Sequence, residues 1–388
     1  MNKKATLLVP IAGKGQRFID EGFHMPKPLI MVDGEHIIDW SFKSIDVSEY
    51  NIVFVVREEH IRNFGIDHVL KNKFGTDVTI VSTDKITSGT VASCLLAEKY
   101  IDNDMPLVVY TLDVYFEPRF NLDAVGDSDG FILTFKANNP AYSYVQLNEN
   151  GTAARTAEKE IISENAAVGI YYFKRGSDFV KYSHEMIDKN LRSNNEFYVC
   201  PLYNLMIGDN KIVRTSQVEK MHLMGTPVEL SFFKRNVNKK FGNKPITLSA
   251  DHSGFELKEI TKKLLDDRGI KYIDFGTYVK KDCDYNEYIE QAAEFIRNGE
   301  CDFGFAFCRS GQGVNMCANK QSGIRSALVS DEFSAEMAVR HNCANFFAFS
   351  ERGVDEYNMG RLIDVIKSNT FDGGRHITRI QKLENEIQ

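Results

Sequence analysis

What most constrains this chain is a rhythm that stops and then restarts. Up to about residue 232, short apolar runs (TLLVPIA, NIVFVV, LVVYTL, GFILTF) alternate with stretches of helical period such as IDWSFKSI and TVASCLLAEKYI. Strand-length apolar runs separated by amphipathic helices are the pattern of an α/β sheet covered on its faces by helices. Next comes KRNVNKKFGNK, with five basic residues, Asn and Gly and almost nothing apolar, which reads as a linker over 233–244. Then the rhythm resumes in PITLSA, KYIDFG, FGFAFC, RSALVS and ANFFAFS, with amphipathic helices between them. The expectation is therefore two α/β domains, 1–232 and 245–388, and a length of 388 residues with 43% hydrophobic content suits two cores.

Charge and cysteine usage narrow the function. A net charge of -7 argues against nucleic acid as the main partner, because affinity for a phosphate backbone needs clustered Lys and Arg. Small anionic substrates remain open, since a few arginines in a cleft suffice for them. The opening MNKKATLLVPIAGKG breaks into Pro and Gly too soon for a signal segment, and no apolar run approaches bilayer length. Seven cysteines, an odd number without CxxC spacing, fit reduced thiols in a cytoplasm better than a disulfide framework or a zinc site.

The first strand runs straight into Gly13, Lys14, Gly15, Gln16 and Arg17, with Lys27 following in MPKPLI. Glycines there let main-chain N–H groups approach a triphosphate, while Arg17 and Lys27 supply cations for a departing pyrophosphate. A plain Gly-rich turn would give the same short string, so the context decides. GKGQRF with MPKPLI resembles the sugar-phosphate nucleotidyltransferase family, and SGTVASCLLA, TLDVYF, EFYVCPLYN and GTPVEL recur in that family's order. The resemblance covers roughly residues 5–232 and implies a Rossmann-like domain with a mixed sheet. It makes Gly13, Gly15, Gly89 and Thr90 nucleotide-binding and places Asp113 as a ligand of Mg²⁺. Glu158 and Lys159 fall where the family often faces the sugar phosphate, although a solvated strand end is an equal reading. One departure stands out: a second metal-binding aspartate is usual where this chain has Leu223. Mg²⁺ prefers oxygen ligands, so the neighbouring His222 is a poor replacement.

In the second half, PITLSA ends in Asp251 and His252, putting a carboxylate and an imidazole at the carboxyl end of a strand, where open α/β sheets bind ligands. FGFAFC ends in Cys308, Arg309, Ser310, Gly311, Gln312 and Gly313, a thiol beside a potential nest of N–H groups. His341 closes the helical SAEMAVRHN, and Arg375 and Arg379 lie four apart near the terminus. Singly these are ordinary. Together ADHSGFELK, DYNEY, CRSGQG, ANKQSGIR, RHNCAN and GGRH resemble the ribose-5-phosphate isomerase B and galactose-6-phosphate isomerase family over residues 245 to about 380.

That resemblance implies a Rossmann-like α/β/α sandwich with a parallel sheet and an aldose-ketose isomerase needing no cofactor. Cys308 matches the base that moves a proton between C1 and C2 through an enediolate. Ser310 matches the hydroxyl serving the two oxygens, and Gly311 and Gly313 the loop that stabilises developing charge. Asp251 and His341 match ring-opening residues, Tyr285 a cleft tyrosine, and His252, Arg352, Arg375 and Arg379 the phosphate side. A cleft shared between subunits implies a homodimer or a higher homo-oligomer. Arg309 and Asn286 depart from a usual small residue and a usual proline, which puts the identity of the sugar in doubt. The combined expectation is a cytoplasmic enzyme using NTP and sugar-phosphate substrates, CTP first among them, for a surface polysaccharide such as a capsule, with no membrane or nucleic-acid partner. Two rivals stay open: a sugar-phosphate-sensing second domain, and a degenerate first domain acting as a scaffold.

Overall fold

The computed structural model describes residues 3–236 and 241–386. Two compact units divide the chain, Met1–Lys234 and Arg235–Gln388. The first contains β1 (Ala5–Ile11), a small hairpin of β2 (Met31–Val32) and β3 (Glu35–His36), β4 (Tyr50–Arg57), β5 (Thr79–Thr83) and β6 (Leu107–Tyr110). It continues with β7 (Val114–Glu117), β8 (Gly130–Lys136), β9 (Ser143–Leu147), β10 (Ala153–Glu158), β11 (Asn165–Phe173), β12 (Val213–Gln217) and β13 (Lys220–Leu223). Nine of these strands form one sheet along the path β10-β9-β11-β6-β1-β4-β5, with β8 joining β11 to β12. β1, β4, β5 and β6 are parallel, whereas β11 runs antiparallel to β6, so the sheet is mixed.

The central strands read as unbroken apolar runs because both their faces are buried. Leu7, Val9, Phe54 and Val56 enter one core, and Leu8, Val53, Val55 and Val109 enter the other. β1 lies between β4 and β6, so connections leave it in both directions; ligands bind at the carboxyl edge of such a switch point. The 13–17 turn leaves β1 at this edge and Asp113 follows β6 there. β7 and β13, distant in sequence, form a separate two-stranded antiparallel sheet that sets Val114 opposite Leu223 and brings the GTPVEL segment back toward Asp113.

The second unit is a Rossmann-like sandwich around a five-stranded sheet: β14 (Ile246–Ala250), β15 (Tyr272–Asp274), β16 (Gly304–Cys308), β17 (Ser326–Val329) and β18 (Phe346–Ser350). Their order is β15-β14-β16-β18-β17 and every pairing is parallel. Phe305 and Phe349 meet edge to face at 5.1 Å in its core. Burial of each such ring contributes roughly 1.5–3 kcal/mol. Asp251 directly follows β14 and Cys308 ends β16, the two strands flanking this sheet's own switch point.

The structure shortens the linker expected over 233–244. Helix Pro227–Asn236 runs through 233–236, because Phe232 and Phe233 still bury their rings in the first unit. Phe241 is already in the second unit's core, and 237–240 lie outside the described residues. No helix among the described residues is long and apolar enough to cross a membrane.

Candidate active sites

Two neighbouring cavities open at the carboxyl edge of the first sheet. One, of about 330 Å³, is lined by Gly13, Gly15, Arg17, Lys27, Leu112 and Gly225 among others. The second, of about 300 Å³, is lined by Thr90, Asp113, Ser143, Glu158, Tyr198 and Glu229 among others. Arg17 and Gly225 line both. Where the cavities meet, Lys27 Nζ donates to Asp113 Oδ2 at 2.8 Å, a half-buried ion pair between the expected phosphate cation and the expected metal ligand. Arg17, Lys27 and Asp113, far apart in sequence, are thus brought together.

Gly89 and Thr90 are placed differently from Gly13 and Gly15. Thr90 lines the second cavity, and Gly89 has φ of +120° with the backbone of Phe197 against it. A side chain at Gly89 would come within 2.5 Å of Phe197 N, so only glycine lets EFYVCPLYN dock there. Phe197 N donates to Ser88 O at 2.9 Å and Val91 N donates to Phe197 O at 3.0 Å.

The second cavity carries polar groups suited to a sugar. Ser143 Oγ donates to Glu158, whose carboxyl burial pushes up from its ordinary value. Lys159 Nζ donates to Tyr198 Oη at 2.8 Å at its rim. His222 is buried and stacked on Tyr115, with burial pushing its imidazole down to about 3, so it serves the core as a neutral ring. Leu223 packs half-buried against the same core. Glu229 was not singled out from the sequence. It sits in the first turn of helix Pro227–Asn236, and burial followed by the Asp113 charge pushes its carboxyl up. The only signal for it was its membership of GTPVEL; its position depends on the long-range pairing of β7 with β13.

In the second unit Asp251, Tyr285 and the 308–313 loop converge at the carboxyl edge. Asp251 Oδ1 accepts from Ser253 N at 2.9 Å and Gly254 N at 2.8 Å, which fixes the carboxylate at the mouth of β14. Gly311, with φ of +73°, turns the chain from Cys308 into helix Gln312–Asn319. A side chain there would lie 2.4 Å from Leu328 Cδ1. Gly313 abuts the Tyr285 hydroxyl, and Asn286 Nδ2 reaches Cys317 Sγ at 3.6 Å. Burial first, then Cys317, Cys308 and Asp251, push the Tyr285 phenol up, consistent with its place among them. Cys283 N donates to His252 Nδ1 at 3.4 Å. Arg352 joins this edge, its N–H donating to Arg309 O at 3.5 Å, while the Arg309 and Ser310 side chains are exposed.

His341, Arg375 and Arg379 lie elsewhere. Helix Glu332–Arg340 leaves the carboxyl end of β17 and returns to the amino end of β18, so His341, its C-cap, lies at the opposite edge of the sheet. There its ring stacks on His376 with centroids 4.3 Å apart, and Asp372 N donates to Arg340 O at 2.9 Å. Helix Arg375–Glu386 starts beside this stack. Burial first, and then the neighbouring His341, push the His376 imidazole down to about 4. A five-residue strand spans roughly 15 Å, which separates these groups from Cys308 within one chain.

Comparison with known proteins agrees with both halves. A nucleotidyl transferase family model matches residues 7–203, and a ribose/galactose isomerase model matches residues 246–383. The second half is similar to ribose-5-phosphate isomerase B of Escherichia coli strain K12, 35% identical over 140 residues, which are 36% of this chain and 94% of that protein. It is also similar to a probable ribose-5-phosphate isomerase B of Mycoplasma pneumoniae, 35% identical over 142 residues, 36% of this chain and 93% of that one. The first half shares its fold with a nucleoside-diphosphate-sugar pyrophosphorylase from Vibrio cholerae RC9, with a TM-score of 0.54 and 22% identity. That match covers 59% of this chain and 100% of the other.

Proposed function

The chain belongs to the nucleotidyl transferase family through its first domain and to the ribose/galactose isomerase family through its second, and on that premise we propose a bifunctional enzyme of activated-sugar synthesis. The isomerase forms a sugar phosphate, and the transferase joins a sugar or polyol phosphate to a nucleotide. CTP is the donor this reading favours first among the nucleoside triphosphates. The setting we favour is cytoplasmic synthesis of a capsule or another surface polysaccharide.

The observation that supports the transferase is the pair of adjacent cavities that share Arg17, with the Lys27–Asp113 ion pair at their junction. In this reading the triphosphate lies over Gly13 and Gly15 and the acceptor lies beside Glu158 and Tyr198. A phosphate oxygen of the acceptor attacks the α-phosphorus, the bond to the β-phosphate oxygen breaks, and pyrophosphate leaves. Arg17 and Lys27 take up the charge that grows on it. Asp113 would hold Mg²⁺, whose contribution is to screen the triphosphate. The donor set fits that ion: carboxylate oxygens border a gap at Gly225 that a side chain would fill.

In the isomerase, Cys308 as thiolate removes the proton beside the carbonyl and returns it to the neighbouring carbon. Ser310 serves the two oxygens, and the loop through Gly311 and Gly313 steadies the enediolate. Asp251 and His341 open the ring, and His252, Arg352, Arg375 and Arg379 grip the phosphate. Because His341, Arg375 and Arg379 lie at the other sheet edge, a second copy supplies them, so the working form is a homodimer or a higher homo-oligomer. Arg309 adds a cation near the reacting carbons, favouring a substrate with a further polar or anionic group there.

Pyrophosphate release, measured for each nucleoside triphosphate against pentose, pentitol and hexose phosphates, tests the transferase. Asp113→Asn is expected to abolish that release and leave isomerisation intact; full release from the variant removes Asp113 from the mechanism.

A further inference from the structure

The resemblance leaves the transferase one carboxylate short, since Leu223 stands where a second metal-binding aspartate is usual. Leu223 is the last residue of β13, opposite Val114, and its side chain packs on the core. Just beyond it, Met224 N donates to Asp113 O at 2.7 Å, and the chain turns through Gly225 into helix Pro227–Asn236. Glu229 N donates to Thr226 Oγ1 at 3.2 Å, which anchors the first helical turn. That turn brings Glu229 over Asp113. A methyl group built on Gly225 would lie 3.0 Å from Asp113 Oδ2 and 3.2 Å from Glu229 Oε2. Both carboxylates therefore border one small space, which the missing side chain keeps open. Lys27 is the cation paired with Asp113.

We propose that Glu229 supplies the second carboxylate of the Mg²⁺ site, in place of the aspartate lost at Leu223, and that Gly225 is the position that leaves room for the ion. The inference rests on the transferase reading above. Mg²⁺ usually takes one or two carboxylates, keeps several waters and completes its shell with phosphate oxygens. Two side chains are accordingly enough, and no group of three or more His, Cys, Asp or Glu that could hold a metal occurs among the described residues. Metal binding at this pair would also free Lys27 from Asp113 for the triphosphate.

The test uses the full chain with Mn²⁺ alone and Mn²⁺ with pyrophosphate as probes, reading bound and free Mn²⁺ by electron paramagnetic resonance. Glu229→Gln is expected to weaken Mn²⁺ binding by on the order of tenfold or more, at least the loss that follows removal of an outer-shell partner. Gly225→Ala, which keeps both charges and fills the space, is expected to do the same, with circular dichroism and the melting curve reporting that each variant folds. Wild-type Mn²⁺ affinity in both variants, alongside loss in Asp113→Asn, overturns the role of Glu229 and leaves the transferase standing. A wild-type chain that neither binds Mn²⁺ nor releases pyrophosphate from any substrate pair defeats the transferase reading and this proposal with it.

Discussion

Mixing two dead isomerases should produce a live one. Cys308 ends β16 at the carboxyl edge of the sheet, whereas Arg375 and Arg379 begin the last helix at the amino edge, beside the His341–His376 stack. With five residues in β16, the separation is roughly 15 Å at about 3.3 Å per residue. A sugar phosphate with its phosphate on one edge cannot present C1 and C2 to a thiol on the other, so the proposed mechanism requires each working site to take Cys308 from one copy and Arg375 and Arg379 from another. Cys308→Ala and Arg375→Ala/Arg379→Ala are each expected to be inactive as homodimers. In a heterodimer of the two, one site carries both lesions and the other carries none. Random re-association of equal amounts makes about half of all dimers mixed, each with one intact site of two, so about a quarter of wild-type activity returns. The assay is exchange of the C2 proton in D₂O after co-refolding, with native mass spectrometry counting mixed dimers. Recombining Cys308→Ala with a chain carrying all three substitutions must stay inactive. If mixed dimers form in the expected proportion and exchange stays at background, the shared site is wrong.

Further outcomes concern stability in the second unit. Lys258 is completely buried, and its Nζ donates to Asp274 and, at 3.0 Å, to Glu259 Oε1. Asp274→Asn removes half of that balance and is expected to cost about 3–5 kcal/mol, whereas Lys258→Met with Asp274→Asn, which buries no charge, should recover most of it. Urea unfolding measures both, and a loss under about 1 kcal/mol for the single variant means Asp274 does not hold the buried ammonium. The His376 imidazole is pushed from its ordinary value down to about 4, so below about pH 6.5 the unfolded chain binds a proton that the folded one refuses. Stability of this unit should therefore fall as pH drops through the window from about 6.5 to about 4 and be indifferent to His376 above it. His376→Gln should flatten that part of a melting-temperature profile, and an unchanged slope assigns the acid sensitivity to other groups.

The sheets were legible because their central strands are buried on both faces and so appear as unbroken apolar runs; TLLVPIA, LVVYTL, FGFAFC and ANFFAFS all coincide with strands. Residues directly after those strands were legible for the same reason, which is why Arg17, Asp113, Asp251 and Cys308 could be assigned to ligand edges. The long-range pairing of β7 with β13 was not legible. KMHL mixes charged, buried and half-buried positions in four residues, and its partner was visible only as the tail of TLDVYF. Without that pairing nothing brings Glu229 to Asp113, so the proposed second carboxylate stayed hidden in a segment already identified as important. The linker was misjudged at its start because the charged 234–236 stretch continues a helix whose preceding turn, with Phe232 and Phe233, is anchored in the core.

The division of the isomerase site follows from chain direction alone. In a parallel sheet every residue that directly follows a strand lies at the carboxyl edge, and every residue that closes a crossover helix lies at the amino edge. Asp251 and Cys308 follow strands; His341 closes a helix, and the 373–376 turn follows another, Glu356–Ser368. A reaction that needs both groups around one sugar phosphate cannot close within one such monomer, whatever the side chains are. A site that uses both groups, as proposed above, therefore takes them from two copies, with His341 at the amino edge stacked on His376 of its own chain.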